Sequence, residues 1–167
     1  MAIPAIGAAG VRQTPNTGLA SDETIWHVRS AWNVAALSCR GDEFKPIADE
    51  YAAFLKAYAK PLAAVNRRLD AKYGQGAASP AAGRAARDAE ATQLYNYFAS
   101  PPVMGELCRV ALEVSTEWLH ARPKSLAAFA ATALPRFEAP YLAFFDAYDR
   151  YRANAAAWDA RYGPLQR

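Results

Sequence analysis

The 167-residue chain is short of the residues that most catalytic and metal-binding motifs are built from. It has two cysteines, Cys39 and Cys108, and two histidines, His27 and His120. There is no CxxC, which excludes the common zinc and dithiol redox patterns, and no CxxCH to attach a haem. GxSxG is also missing, and Ser30, Ser38, Ser100, Ser115 and Ser125 fit helix caps or surfaces. Gly74 and Gly76 form a GxG, but Ser79 stands where a third glycine is needed and the pattern follows a helix, so no dinucleotide fold is expected. No run approaches the roughly 18 apolar residues of a membrane helix. The net charge is only +3 and the basic residues are interleaved with acids, as at Arg67, Arg68 and Asp70, or Asp149, Arg150 and Arg152. A nucleic-acid binder would show a basic stripe instead. Alternating apolar and polar residues are nowhere found, so no sheet is expected. These absences leave neither a cofactor nor a metal to expect.

What is present is helical. The composition is 53% hydrophobic, much of it alanine, and the core material is 4 Trp, 9 Tyr and 7 Phe. Ser21 to Gly41 places Ile25, Val28, Trp32, Ala35 and Cys39 at steps of 3 and 4, one face of a helix around which the other elements pack. Ser21 or Asp22 is expected to cap it, and Gly41 to end it in the left-handed region. A second stripe runs from Ile47 to Tyr73, with Pro61 predicting a kink or a short break. Gly74 to Gly83 is a linker. Helices follow at 84–100 and 102–121, then a short one at 126–134. A final long helix is expected from Pro135 to Tyr162. Its stripe is Phe137, Tyr141, Phe144, Tyr148, Tyr151, Ala155, Trp158 and Tyr162. The two long stripes are expected to pair. The fold class is thus an all-α single bundle of five to six helices, mostly antiparallel, spanning 21–163. A flexible tail is expected over 1–20, where Pro, Gly, Ala and Thr dominate, and a short one over 164–167.

Cys39 and Cys108 each fall on an apolar helix face. A disulfide is favoured over two buried thiols. It would tie the first helix to the one at 102–121 and imply an oxidising compartment. With the tail-like start, which has no positive n-region or long apolar h-region, this suggests a periplasmic or secreted protein; the alternative is cytoplasmic.

Glu117 and His120 share a helix face, as Glu23 and His27 do. A joint metal site is disfavoured by geometry. His27 lies 12 residues before Cys39 and His120 lies 12 after Cys108, so across a bridged antiparallel pair both reach one level. Twelve residues turn a helix by about 120°, which sends the two rings to opposite sides of the seam. His120 reads as a last-turn cation, and His27, beside Ser30, Ala31 and Ser38, as solvent-facing. Polar residues beside aromatic faces are better candidates. Trp26, Arg29 and Asn33 line one stripe, and Gln93, Asn96 and Tyr97 another. Asparagine is a poor helix former, so Asn33 and Asn96 are expected to make specific hydrogen bonds. They would serve either a polar network that sets helix register or a pocket for a small carboxylate- or phosphate-bearing ligand. The expected function is therefore non-enzymatic binding of a protein partner or small molecule. An acid–base enzyme using Glu117 and His120 is the first alternative. The second is an assembly protein, a homo-oligomer formed through the tyrosine-rich last helix.

Overall fold

The computed structural model describes residues 3–163. Residues 1–2 of the expected N-terminal tail and the whole expected C-terminal tail, 164–167, lie outside them. The described residues form six α-helices: α1 (Ser21–Ser38), α2 (Lys45–Ala57), α3 (Ala59–Gly74), α4 (Pro80–Phe98), α5 (Met104–Ala121) and α6 (Leu126–Tyr162). Short 3-10 turns at Asp42–Phe44 and Pro101–Val103 lead into α2 and α5. Among the described residues the only bridge between extended segments joins Ile6 and Arg12, so the all-α expectation holds.

Helix α1 touches all five other helices. Its Val28, Ala31, Trp32 and Ala35 are buried, and the two alanines let neighbouring backbones come close. Trp32 is the hub of the core. Its ring lies 5.1 Å from Phe54 and 6.0 Å from each of Tyr51, Trp118 and Phe129. Its indole N–H donates to Ser115 Oγ at 3.0 Å, and Ser115 donates onward to the Ala111 carbonyl at 2.6 Å. The disulfide is present: Cys39 and Cys108 are joined with their Cα atoms 5.6 Å apart. Trp32 lies seven residues before Cys39 and Ser115 seven after Cys108, so these two contacts make α1 and α5 antiparallel.

Several local expectations are corrected. Neither Ser21 nor Asp22 caps α1. Ala20 is the cap residue, with its N–H donating to Glu23 at 2.9 Å, while Asp22 takes Arg68 of α3. Helix α1 ends at Ser38 with Cys39 extended, because the disulfide draws Cys39 toward α5; Gly41 uses its positive φ to open the next turn instead. The break expected near Pro61 is present: the Ile47–Tyr73 stripe divides into α2 and α3 at Tyr58, three residues before Pro61, which has no N–H for the Ala57 carbonyl. The expected break at Pro135 is absent: α6 runs unbroken for 37 residues with Pro135 and Pro140 inside it. Burial of Ala130, Ala133, Leu134, Phe137 and Tyr141 on both sides of the prolines outweighs the two lost hydrogen bonds. The long stripes do not pair. Helix α6 lies mainly on α1 and α5, and α2 on α5 and α1, because α1 occupies the middle.

Residues 3–20, expected as a flexible tail, run along the bundle as a strap. Arg12 anchors it, with a side chain only 6% exposed. Its guanidinium donates to Asp146 at 2.7 Å, Asp149 at 2.9 Å and the Pro4 carbonyl at 2.8 Å, and lies over the Phe145 ring. The two aspartates are 134 and 137 residues away in sequence, which is why composition alone reads the segment as a tail.

Candidate functional site

The six residues singled out from sequence do not converge. Trp26, Arg29 and Asn33 stay together on α1. The Arg29 guanidinium lies 4.6 Å from the Trp26 ring centre and donates to Tyr95 Oη at 3.3 Å. Arg87 of α4 reaches the same ring at 5.1 Å, and buried Tyr51 sits beside Asn33 and Arg29. Tyr97 turns the other way, toward α6, while Gln93 and Asn96 face solvent. One cavity beside Trp26 and His27 holds only about 10 Å³, and a second, between Trp26, Arg84 and Arg87, about 270 Å³. Glu117 is exposed and paired with Arg136, and His120 is exposed. Among the described residues no three His, Cys, Asp or Glu side chains group as metal ligands would.

Roomier cavities lie elsewhere, two of them, of about 450 and 390 Å³, along the α5–α6 side. A groove of about 550 Å³ runs between the strap and α6. Its strap wall includes Val11, Thr14, Asn16 and Leu19; its α6 wall includes Ala131, Leu134, Pro135, Glu138 and Leu142. Most of this lining is apolar, and the polar groups gather around one carboxyl. Glu138 is 8% exposed. It accepts from Tyr97 Oη at 2.9 Å and from the Asn16 side-chain amide. Asn16 continues the chain: its Oδ1 lies 2.8 Å from His27 Nδ1. A carboxylate accepts only, so the amide NH₂ of Asn16 faces Glu138 and its oxygen is left for an N–H on His27 Nδ1. This fixes the neutral tautomer. His27, expected at the surface, is 2% exposed, because α1 lies in the centre of the bundle and its polar face is covered by the strap and α4.

Burial sets the electrostatics. Desolvation pushes the His27 pKa down to about 4, against a smaller upward pull from Glu23. It pushes Glu138 up, partly offset by hydrogen bonds from Thr14 and Tyr97. Tyr97 is driven well above its ordinary range by burial and by the adjacent Glu138. Two further features make the groove acceptor-rich. Pro135 has no N–H, so the carbonyl of Ala131, in the groove wall, lacks its helical partner. Arg12, the cation at the groove's edge, is already matched by two aspartates.

Comparison with family models, curated proteins and solved structures gives no match, so the functional reading rests on this geometry. Sequence reasoning missed Asn16, His27 and Glu138 as a set. No spacing signal marked Glu138: it lies one residue, about 100° round the helix, from Phe137, as Asp149 does from Tyr148 and Asp159 from Trp158.

Proposed function

We propose that the protein is a non-catalytic binding module whose groove takes a small amphipathic molecule with a cationic or hydrogen-bond-donating end. The observation that carries this reading is Glu138, a buried carboxyl in a groove whose exposed wall is mostly apolar. Pockets for small ligands fall between about 300 and 1,000 Å³ and combine apolar walls with a few placed polar groups; at about 550 Å³ this groove lies in that range. An ionised carboxylate has about four acceptor positions, and Tyr97, Asn16 and Thr14 occupy one each, leaving about one. The remaining capacity and the Ala131 carbonyl favour a donor or a cation over an anion, the one cation among the described residues of the lining, Arg12, being already matched by its two aspartates. An acid–base role is less well supported, because His27 is held neutral and its Nδ1 is engaged with Asn16. The disulfide supports residence in an oxidising compartment, periplasmic or extracellular.

Isothermal titration calorimetry with octylamine, octanol and octanoate tests the reading. The amine is expected to bind best, octanol more weakly and octanoate not at all. Glu138→Gln should weaken the amine by roughly 10- to 100-fold, the worth of a charge-assisted hydrogen bond. Burial raises the Glu138 pKa, so an ammonium binds best to its ionised form, and amine affinity should rise as pH rises through that value. Absence of binding by all three probes at millimolar concentration, or a preference for octanoate, would overturn it.

A further inference from the structure

We propose that the C-terminal half of α6 pairs with the same segment of a second copy of this chain, as a short antiparallel coiled coil. At a rise of 1.5 Å per residue, the 37 residues of α6 span about 55 Å, roughly twice the length of the next longest helix. The bundle uses only the first part. Phe137 and Tyr141 are fully buried, Phe144 is half-buried, and the same stripe then emerges bare, with Tyr151 65% exposed, Tyr162 61% and Trp158 43%. The ring contacts of these three are with residues of α6 itself. From Phe144 onward the stripe continues through Tyr148, Tyr151, Ala155, Trp158 and Tyr162 at alternating steps of four and three, which is a seven-residue repeat. A strict repeat of seven keeps one seam facing a partner helix along its length.

The flanking residues select a second copy and its direction. With Tyr148, Ala155 and Tyr162 at a and Tyr151 and Trp158 at d, Arg152 and Asp159 both fall at e. Equivalent e positions face one another in an antiparallel pair. Setting Ala155 against Trp158 of the other copy places Arg152 against Asp159, twice by symmetry. The same register seats each indole over a methyl and each Tyr151 against Tyr162. A parallel pair would instead stack Ala155 on Ala155, leaving a gap between two ring layers, and would face Arg152 with Ala147. The strap does not compete for this seam, since Asp146 and Asp149, which it engages, lie on another side of the helix. Among the described residues neither Arg152 nor Asp159 has an ion-pair partner. Six rings, each burying on the order of 100 Å², leave the interface below the roughly 1,200 Å² of a standard complex, so the dimer should be weak and reversible.

Sedimentation equilibrium from about 1 to 500 μM tests this, with a dissociation constant expected on the order of 10–100 μM. Trp158→Lys should abolish association while leaving the far-UV and near-UV spectra of the bundle in place. Arg152→Asp and Asp159→Arg should each weaken the dimer by about 10-fold, and the double exchange should restore it, which a parallel pair would not do. A wild-type chain that stays monomeric at 500 μM overturns the proposal. So does dimerisation indifferent to Trp158→Lys, or a double exchange that restores nothing. Monomers that co-sediment with phosphatidylcholine–phosphatidylglycerol vesicles would assign the stripe to a lipid surface and also overturn it.

Discussion

The two aromatic clusters of the bundle are built on opposite plans. Around Trp32 the rings of Phe54, Trp118 and Phe129 pack on one another, and the sole polar atom of the hub is satisfied locally by Ser115. Around Tyr97 the rings of Phe98, Tyr141 and Phe145 pack equally closely, but Tyr97 and Tyr141 carry hydroxyls that reach Glu138 and the Phe98 carbonyl at the end of α4. The first cluster contains no carboxyl, only the Tyr51 hydroxyl and indole N–H groups, and joins helices to each other. The second opens onto a carboxyl, a histidine and the strap. Burial of apolar area gains from every contact regardless of direction; a buried carboxyl is tolerated only in the geometry that satisfies it. The Trp32 cluster should therefore carry global stability, while the polar one should carry pH dependence and local opening.

Removing the hub gives the largest expected effect. Trp32→Ala deletes a fully buried indole touched by four other rings. The expected loss is about 3–5 kcal/mol in urea unfolding, the range for large-to-small changes at aromatic core positions. A loss below about 1 kcal/mol would mean that the bundle is held mainly by something other than this cluster.

A smaller and differently shaped effect is expected of His27. Its folded pKa of about 4 lies below the ordinary 6.5, so between those values the unfolded chain binds a proton that the folded one refuses. Stability from this group is complete above about pH 6.5 and is lost as pH falls toward 4, by at most about 3 kcal/mol. Glu138 acts in the opposite sense. Its raised folded pKa gives a contribution that is full below the ordinary 4.5 and lost as pH rises through the raised value. Urea midpoints of wild type and His27→Gln between pH 4 and 7 separate the two. The wild-type fall on acidification should shrink in the variant; parallel curves would show that His27 is not protected from protonation in the fold.

The contrast also explains what the sequence could reveal. The Trp32 cluster was legible because Ile25, Val28, Trp32 and Ala35, or Tyr51, Phe54 and Tyr58, repeat at helical intervals that one can count. The Cys39–Cys108 bond was legible because both residues fall on apolar faces. The polar cluster was not, since Asn16 and Glu138 are 122 residues apart and a single hydrogen bond has no period. Prolines misled at Pro135, where a local rule about helix breaking was overridden by packing on both sides. Trp26, Arg29 and Asn33 were placed together correctly by their spacing on α1, whereas Tyr97 left the group because neighbours one residue apart on α4 point about 100° away from each other.

The smallest expected effect bears most directly on the strap. Asn16→Ala leaves the Glu138 oxygen and the His27 N–H without the partner they share, a local penalty of about 1–3 kcal/mol if the strap stays docked. The strap need not stay docked, however. It contributes no residue to the core beyond partial burial of Ile3 and Leu19, so detaching it exposes little apolar surface and lets water reach both orphaned groups. The urea midpoint of the bundle should accordingly move by well under the full penalty, about 0.5 kcal/mol or less, while amide exchange at the Gly7, Gln13 and Thr14 N–H groups, protected by strap hydrogen bonds, should accelerate at least 10-fold. Exchange at Arg12's neighbours unchanged by the substitution would mean that the two aspartates alone hold the strap. Fast exchange already in the wild-type chain would instead make residues 3–20 the mobile segment that their composition suggests, with the groove formed only when a ligand draws the strap down.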